Sequence, residues 1–199
     1  MKIVAAERFP EPQLVENLRK VTMLKAPDVK VYTRAFISLE HLAVTTLSPP
    51  QNYILRPELT KVRELKWALE DHGIDLFELN GFVRLKIEGY DEPVDLLPPI
   101  VEESIEQDGS VHLIVNDGMH RVYMALREWV VPQVVFIRGI PKDLPYYAYP
   151  LPGGWDSLEE RDDLPPGYLK KWHRIRNYHA LYRNFNSAFS NVGGPRPQA

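Results

Sequence analysis

The chain has 199 residues, 44% of them apolar, and no cysteine, which excludes disulfides, thiolate metal sites and thiol catalysis. Its formal charge of −3 is unevenly spread. From Leu164 onward there is no Asp or Glu but six basic residues, a formal +6 that leaves −9 on the rest. The length suits one domain, and no apolar run approaches the roughly 18 residues that span a membrane. The N-terminal stretch turns charged and Pro-rich too soon for a signal peptide, so a cytoplasmic protein is expected.

In chain order, Glu11 to Met23 reads as a helix with Leu14, Leu18 and Val21 on its apolar stripe, and residues 1–30 as an N-terminal helical segment. Val29 to Leu39 mixes β-branched and aromatic residues, as a strand does. Ser48-Pro49-Pro50-Gln51-Asn52 signals a loop. Glu58 to His72 is a helix with Leu59, Val62, Leu65 and Leu69 on one side, stopped by Gly73. Phe82 to Ile87 alternates apolar and charged residues as a half-exposed strand. Leu96 to Glu103 is an extended segment entering a strand, and Asp108-Gly109 is a hairpin turn.

Residues Val111 to Ile140 form the most informative unit: strand, polar turn, helix, strand. Val111 to Val115 is apolar, Asn116-Asp117-Gly118 is a turn with a capping side chain, and Val122, Ala125, Leu126 and Trp129 repeat at helical spacing. Gln133 to Ile137 is the second strand. His120 and Arg121 thus fall in a first helical turn, where free N–H groups and a partial positive charge suit a phosphate or carboxylate. Arg121 supplies a planar donor fork, His120 a further donor, and Gly118 close backbone approach. The alternative is structural: Asp117 caps, Gly118 turns, and the other two are solvated.

After Ile140 the chain is too rich in Pro and Gly for regular structure, and Trp155 to Pro166 is acidic. Tyr168 to Phe189 is expected to be helical, with Tyr178, Leu181, Tyr182, Phe185 and Phe189 on one stripe and Arg176, His179 and Arg183 on the other side. Residues 141–199 are therefore a Pro-rich segment followed by an aromatic, basic helical tail ending loosely. The architecture expected is α+β: a small mixed sheet flanked by helices.

The order ISLEHL, Pro-rich loop, helix ending in HG, PPIVEE, strand, DGMHRVYMAL and PQVVFI resembles the nucleotide-binding domain shared by ParB partition proteins, sulfiredoxins and free serine kinases. The resemblance covers roughly Ile37 to Ile140 and implies a ParB/sulfiredoxin-like core over residues 31–140. Sulfiredoxins need a cysteine where Met119 stands, so their chemistry is excluded. Partition proteins carry Gly-Glu-Arg-Arg and a later helix-turn-helix domain, for which this tail is too short. Free serine kinases carry Asp-Gly-His-His-Arg, matched at Asp117, Gly118, His120 and Arg121, with Met119 departing. Glu58, opening a helix after Leu55-Arg56-Pro57, stands where that branch has its catalytic glutamate, and Tyr149-Pro150 echoes its aromatic-Pro stretch. About twenty additional residues between the helix and DGMHR depart from it, as does the missing second lobe.

Two functions follow as expectations. In the first, the chain binds a nucleoside di- or triphosphate with Mg²⁺ and transfers phosphate to a small hydroxyl compound. Gly118, Met119, His120 and Arg121 hold phosphate, Asp117 holds Mg²⁺ or orients the nucleophile, and Glu58 takes the hydroxyl proton. Structurally, Glu58 is also an ordinary carboxylate in a first helical turn. In the second, a non-catalytic domain binds a nucleotide and a protein or nucleic-acid partner through Lys170, Lys171, Arg174, Arg176 and Arg183. Nucleic acid is the less favoured partner, because these arginines have acidic residues to pair with and the pI is about 6.1. His173 and His179 are six apart, which does not place them together as metal ligands. The oligomeric state is open.

Overall fold

The computed structural model describes residues 1–164 and 173–194. Strand β1 (Ile3–Pro10) leads into helix α1 (Glu11–Leu18), followed by β2 (Thr22–Met23), β3 (Ala26–Lys30) and β4 (Phe36–His41). Two short strands, β5 (Leu47–Ser48) and β6 (Tyr53–Leu55), precede helix α2 (Arg56–Glu70). Then come β7 (Gly81–Ile87), β8 (Val94–Leu96), β9 (Ile100–Ile105) and β10 (Val111–Asp117). Helix α3 (Met119–Glu128), β11 (Gln133–Arg138), β12 (Glu159–Arg161) and β13 (Arg183–Asn184) complete the order. The architecture is mixed α+β, and among the described residues no helix is long and apolar enough to cross a membrane.

The largest sheet has the order β4-β11-β9-β10-β5, with β9 in the middle, antiparallel to β10 and parallel to β11. The Asp108-Gly109 turn closes the β9–β10 hairpin: the Glu106 N–H donates to the Ser110 carbonyl at 2.8 Å, and the Ser110 N–H to Asp108 Oδ1 at 2.9 Å. Helices α2 and α3 pack against each other over one apolar cluster, which includes Leu59, Leu69, Met119, Val122, Ala125 and Val134. On the other side α1 buries Leu14 and Leu18 in a second cluster with Phe82, Ile100 and Val135. Glu11, the first residue of α1, accepts the Leu39 N–H at 3.0 Å, satisfying a donor on the outer edge of β4.

Several expectations need correction. The N-terminal thirty residues are mostly not helical: β1 pairs with β7 from Ile3↔Ile87 to Pro10↔Gly81, and Phe9 stacks on Phe82 at 4.5 Å. Local pattern in IVAAERFP is weak, and the pairing with β7 makes it a strand. Helix α1 ends at Leu18, not Met23, because Thr22 and Met23 pair with β3 and β13. The strand expected over Val29 to Leu39 is broken in two, since Tyr32 turns fully into the core. Trp129 is not on the buried face of α3. It follows the last turn with φ 58° and is 94% exposed, while the Val130 N–H donates to the Ala125 carbonyl.

The tail also differs. Over 173–194 the described chain is short 3-10 turns and β13, with no α-helix; the first residues of the expected helix lie outside the described ones. Asparagine, tyrosine and histidine are indifferent helix formers, and β13 must lie extended beside β2 for Arg183 to face inward. The aromatic stripe still packs: Phe189 meets Phe82 edge-on at 5.4 Å, and Leu181 is buried in the same cluster.

Arg183 is what fastens the tail. Its Nε and Nη2 grip both oxygens of Glu102 on the central strand at 2.9 and 2.8 Å, and both side chains are about 1% exposed. Its remaining donors meet the carbonyls of Leu181, Pro145 and Leu144 at 2.6, 3.0 and 2.8 Å. The Tyr32 hydroxyl donates to Glu102 at 2.6 Å, and the Asn116 amide does so as well. Burial alone would draw the Arg183 pKa down; Glu102 and Tyr32 reverse that and raise it. Replacing Arg183 with Met strands the Glu102 charge, and urea unfolding is expected to show a loss of about 3–5 kcal/mol. Adding Glu102→Leu should recover much of it; a single-mutant loss below about 1 kcal/mol would contradict the pairing.

Candidate functional site

The cleft is built from two chain segments far apart in sequence. Strand β10 ends at Asp117, and Gly118, with φ 84°, reverses the chain into α3. Asp117 does not cap that helix: no side-chain capping bond is made, and Gly118 occupies the N-cap position. Instead, Asp117 Oδ2 accepts from Arg121 Nη2 at 3.0 Å, one turn along. Arg121 is buried at 9% exposure, and its Nη1 donates to the Leu97 carbonyl. Burial pulls the Arg121 pKa down, with the Asp117 charge opposing. The space beside Gly118 is filled by the protein: a Cβ there would lie 2.9 Å from Arg121 Nη2 and 3.0 Å from Pro99 Cβ.

His120 links this turn to the second segment. Its Nε2 accepts the N–H of Leu55 at 3.2 Å, so the neutral ring carries its proton on Nδ1. Leu55 is the residue immediately before α2, whose first turn carries Glu58. The Glu58 carboxylate accepts from Lys61 Nζ at 2.7 Å. Met119 points into the apolar cluster beneath, at 7% exposure.

A cavity of about 510 Å³ opens between these segments. Glu58, Asp117, Gly118, Met119, His120 and Arg121 all line it, so every residue proposed from sequence for catalysis or phosphate binding meets the same space. Val62, Leu65, Leu85, Ile87 and Val94 form an apolar wall, and Gln51, Lys61 and Asn116 add polar groups. Sequence reasoning passed over Lys61, although its position one turn after Glu58 on a helix was a usable signal.

It also missed the tail's part in the wall. Val192, Gly193 and Gly194 line the cavity. They are latched through Asp95, which Arg84 grips at 2.8 and 2.9 Å and whose Oδ2 accepts the Ser190 N–H at 2.8 Å. Among the described residues no three His, Cys, Asp or Glu side chains cluster as a metal site. Asp117, the carboxylate expected to hold Mg²⁺, lines the cavity, and Mg²⁺ held with phosphates needs only one or two carboxylates, the ligand's own oxygens completing its shell.

The basic residues suggested for a partner have separate fates. Lys170 and Lys171 lie outside the described residues. Arg174 Nη1 and Nη2 each meet a Glu106 oxygen at 2.6 Å, and its guanidinium lies 4.4 Å over the Tyr149 ring. Arg183 is the buried partner of Glu102, and Arg176 is exposed. The acidic stretch pairs elsewhere, Glu160 with Arg127 at 2.6 Å and Asp162 with Arg56 at 2.9 Å. His173 and His179 stack on Tyr178, at 3.4 and 4.2 Å between ring centres.

The family model described as the ParB CE domain matches residues 13–159. The chain belongs to this family. Comparison with curated proteins and with solved structures gives no significant match. The matched stretch holds both segments of this cleft, the start of α2 and the α3 turn, while Arg183 and the Val192–Gly194 wall lie beyond it.

Two outcomes are expected. Gly118→Ala combines a left-handed backbone with the Arg121 and Pro99 contacts, and thermal melts should show at least the 1–2 kcal/mol typical of that conformation. Gly73→Ala, with φ 66° but open space, is the milder control. The second concerns acid stability, because hydrogen bonds from Arg174 hold the Glu106 carboxyl below its usual range. A depressed carboxylate pKa stabilises the fold above the unfolded value, about 4.3, and that contribution is lost as pH falls through the folded value. Wild type should therefore exceed Glu106→Gln in stability by a constant amount from neutral pH to about pH 5, with the gap closing in more acid solution.

Proposed function

We propose that this ParB CE domain binds a phosphate-bearing ligand, a nucleotide with Mg²⁺, in the cleft between the α3 turn and the start of α2. The kinship suggested by DGMHR is with the free serine kinase branch, and the activity proposed is phosphoryl transfer to a small hydroxyl compound. The observation that carries the reading is the convergence of Glu58 and Asp117–Arg121 on one cavity, with the His120–Leu55 bond holding the two segments in register.

In this reading the α3 N-terminus and Arg121 face the phosphates, and Lys61 adds a second cation. Asp117 would hold Mg²⁺, whose chemistry there is to neutralise charge on the transferred group. Glu58 accepts the proton of the acceptor hydroxyl as its oxygen bonds to phosphorus and the bond to the leaving phosphate oxygen breaks. The apolar wall of Val62, Leu65 and Leu85 suits the uncharged body of a ligand.

A non-catalytic ligand-binding domain is the second reading, favoured by one observation: Lys61 already occupies Glu58, the group assigned as base. The variant Glu58→Gln separates the two. Calorimetric titration with ATP, ADP and CTP, each with Mg²⁺, should give the same affinity for variant and wild type. Phosphate transfer to a panel of small hydroxyl compounds should fall by roughly 10²–10⁴. Turnover unchanged in Glu58→Gln would reject the assigned base, and binding without any turnover in wild type would favour the non-catalytic domain.

A further inference from the structure

Both cationic side chains on the cleft wall are already neutralised by the wall itself. Lys61 Nζ lies 2.7 Å from Glu58 Oε1, and Arg121 Nη2 lies 3.0 Å from Asp117 Oδ2. A third wall carboxylate, Asp95, is held by Arg84. A bare phosphate entering this cleft therefore finds a carboxylate beside each cation it approaches, and repulsion offsets what attraction it gains. The protein alone offers a metal ion equally little, since the described residues bring no three metal-ligating side chains together and Asp117 is already bonded to Arg121.

A ligand carrying both charges relieves both problems. Its phosphate oxygens can take the donors of Arg121 and Lys61, while its divalent cation takes the Asp117 carboxylate that Arg121 releases. Asp117 is the hinge of this exchange because it is partly open, at 31% side-chain exposure, whereas Arg121 is fixed at its other end by the Leu97 carbonyl. Resting on the phosphate-site reading above, we propose that Asp117 is a specificity-determining residue. By occupying Arg121 until a cation draws it away, it selects metal-complexed phosphates over the same phosphates without metal. Linkage then requires each half of the ligand to tighten the other.

The test is calorimetric titration of the full chain with ADP and with pyrophosphate, each once in Mg²⁺ and once in EDTA, for wild type and Asp117→Asn. Asparagine keeps a hydrogen-bond acceptor for Arg121 but removes the charge, and circular dichroism confirms that the variant folds. Wild type should bind ADP at least about tenfold more tightly with Mg²⁺ than without, within the usual span of coupling between ligands. Asp117→Asn should gain affinity for metal-free ADP and lose most of the Mg²⁺ dependence. Equal wild-type affinity in the two buffers overturns the proposal while leaving the phosphate site standing, as does saturable binding of Mg²⁺ alone. Failure of wild type to bind ADP or pyrophosphate in either buffer overturns the phosphate site and the proposal together.

Discussion

A full carboxylate at the centre of a sheet has to be matched, and the match at Glu102 organises much of this molecule. Burying an ion is costly unless another ion and further hydrogen bonds surround it. Arg183 supplies the ion, Tyr32 and Asn116 supply donors, and three backbone carbonyls absorb the rest of the guanidinium. The consequence is topological. A residue near the C-terminus is bound to the middle strand, which holds β13 beside the core, and Tyr32 turns inward where the strand it would otherwise continue is broken. Removing one partner of such a pair is costly because the other charge is left buried and uncompensated.

The same logic of matched charge extends along β10 into the cleft. Asn116 serves Glu102, and the next residue, Asp117, serves Arg121. Glu58 with Lys61 and Asp95 with Arg84 complete a cleft in which each acidic side chain has a cation beside it. The apolar wall and this balanced polar end together define what fits: an uncharged body joined to a group whose own charges exchange with the pairs. The C-terminal segment closes part of the wall through Asp95, so the second tail contact, like the first, converts an acidic side chain into a structural anchor.

Sequence alone made legible what depends on local pattern. Helix α2 with its Gly73 stop, the Asp108-Gly109 hairpin and the strand-turn-helix around Gly118 all follow from spacing and turn chemistry, and they place Glu58, His120 and Arg121 on their helices, whereas Asp117, expected to cap α3, ends β10 instead. That the two meet was suggested by family resemblance, not by periodicity. What stayed hidden depends on long-range partners. Strand β1 exists because β7 lies beside it, and α1 is cut short because Met23 has strand partners on both sides. The tail's spacing of Tyr178, Leu181, Tyr182, Phe185 and Phe189 does mark buried and half-buried residues, but at α-helical spacing where the described chain has only short 3-10 turns and β13. Sequence presents Arg121 as a planar donor fork; only the fold shows Leu97 and Asp117 already on it.

The measurement that tests the central claim most directly is amide hydrogen exchange of the full chain with and without ADP and Mg²⁺. A shared cleft predicts added protection in two separate stretches at once, 55–62 and 117–122, with little change around the stacked rings of Tyr178 and His179. Protection confined to one stretch, or appearing around those rings and not in the cleft, would contradict the account.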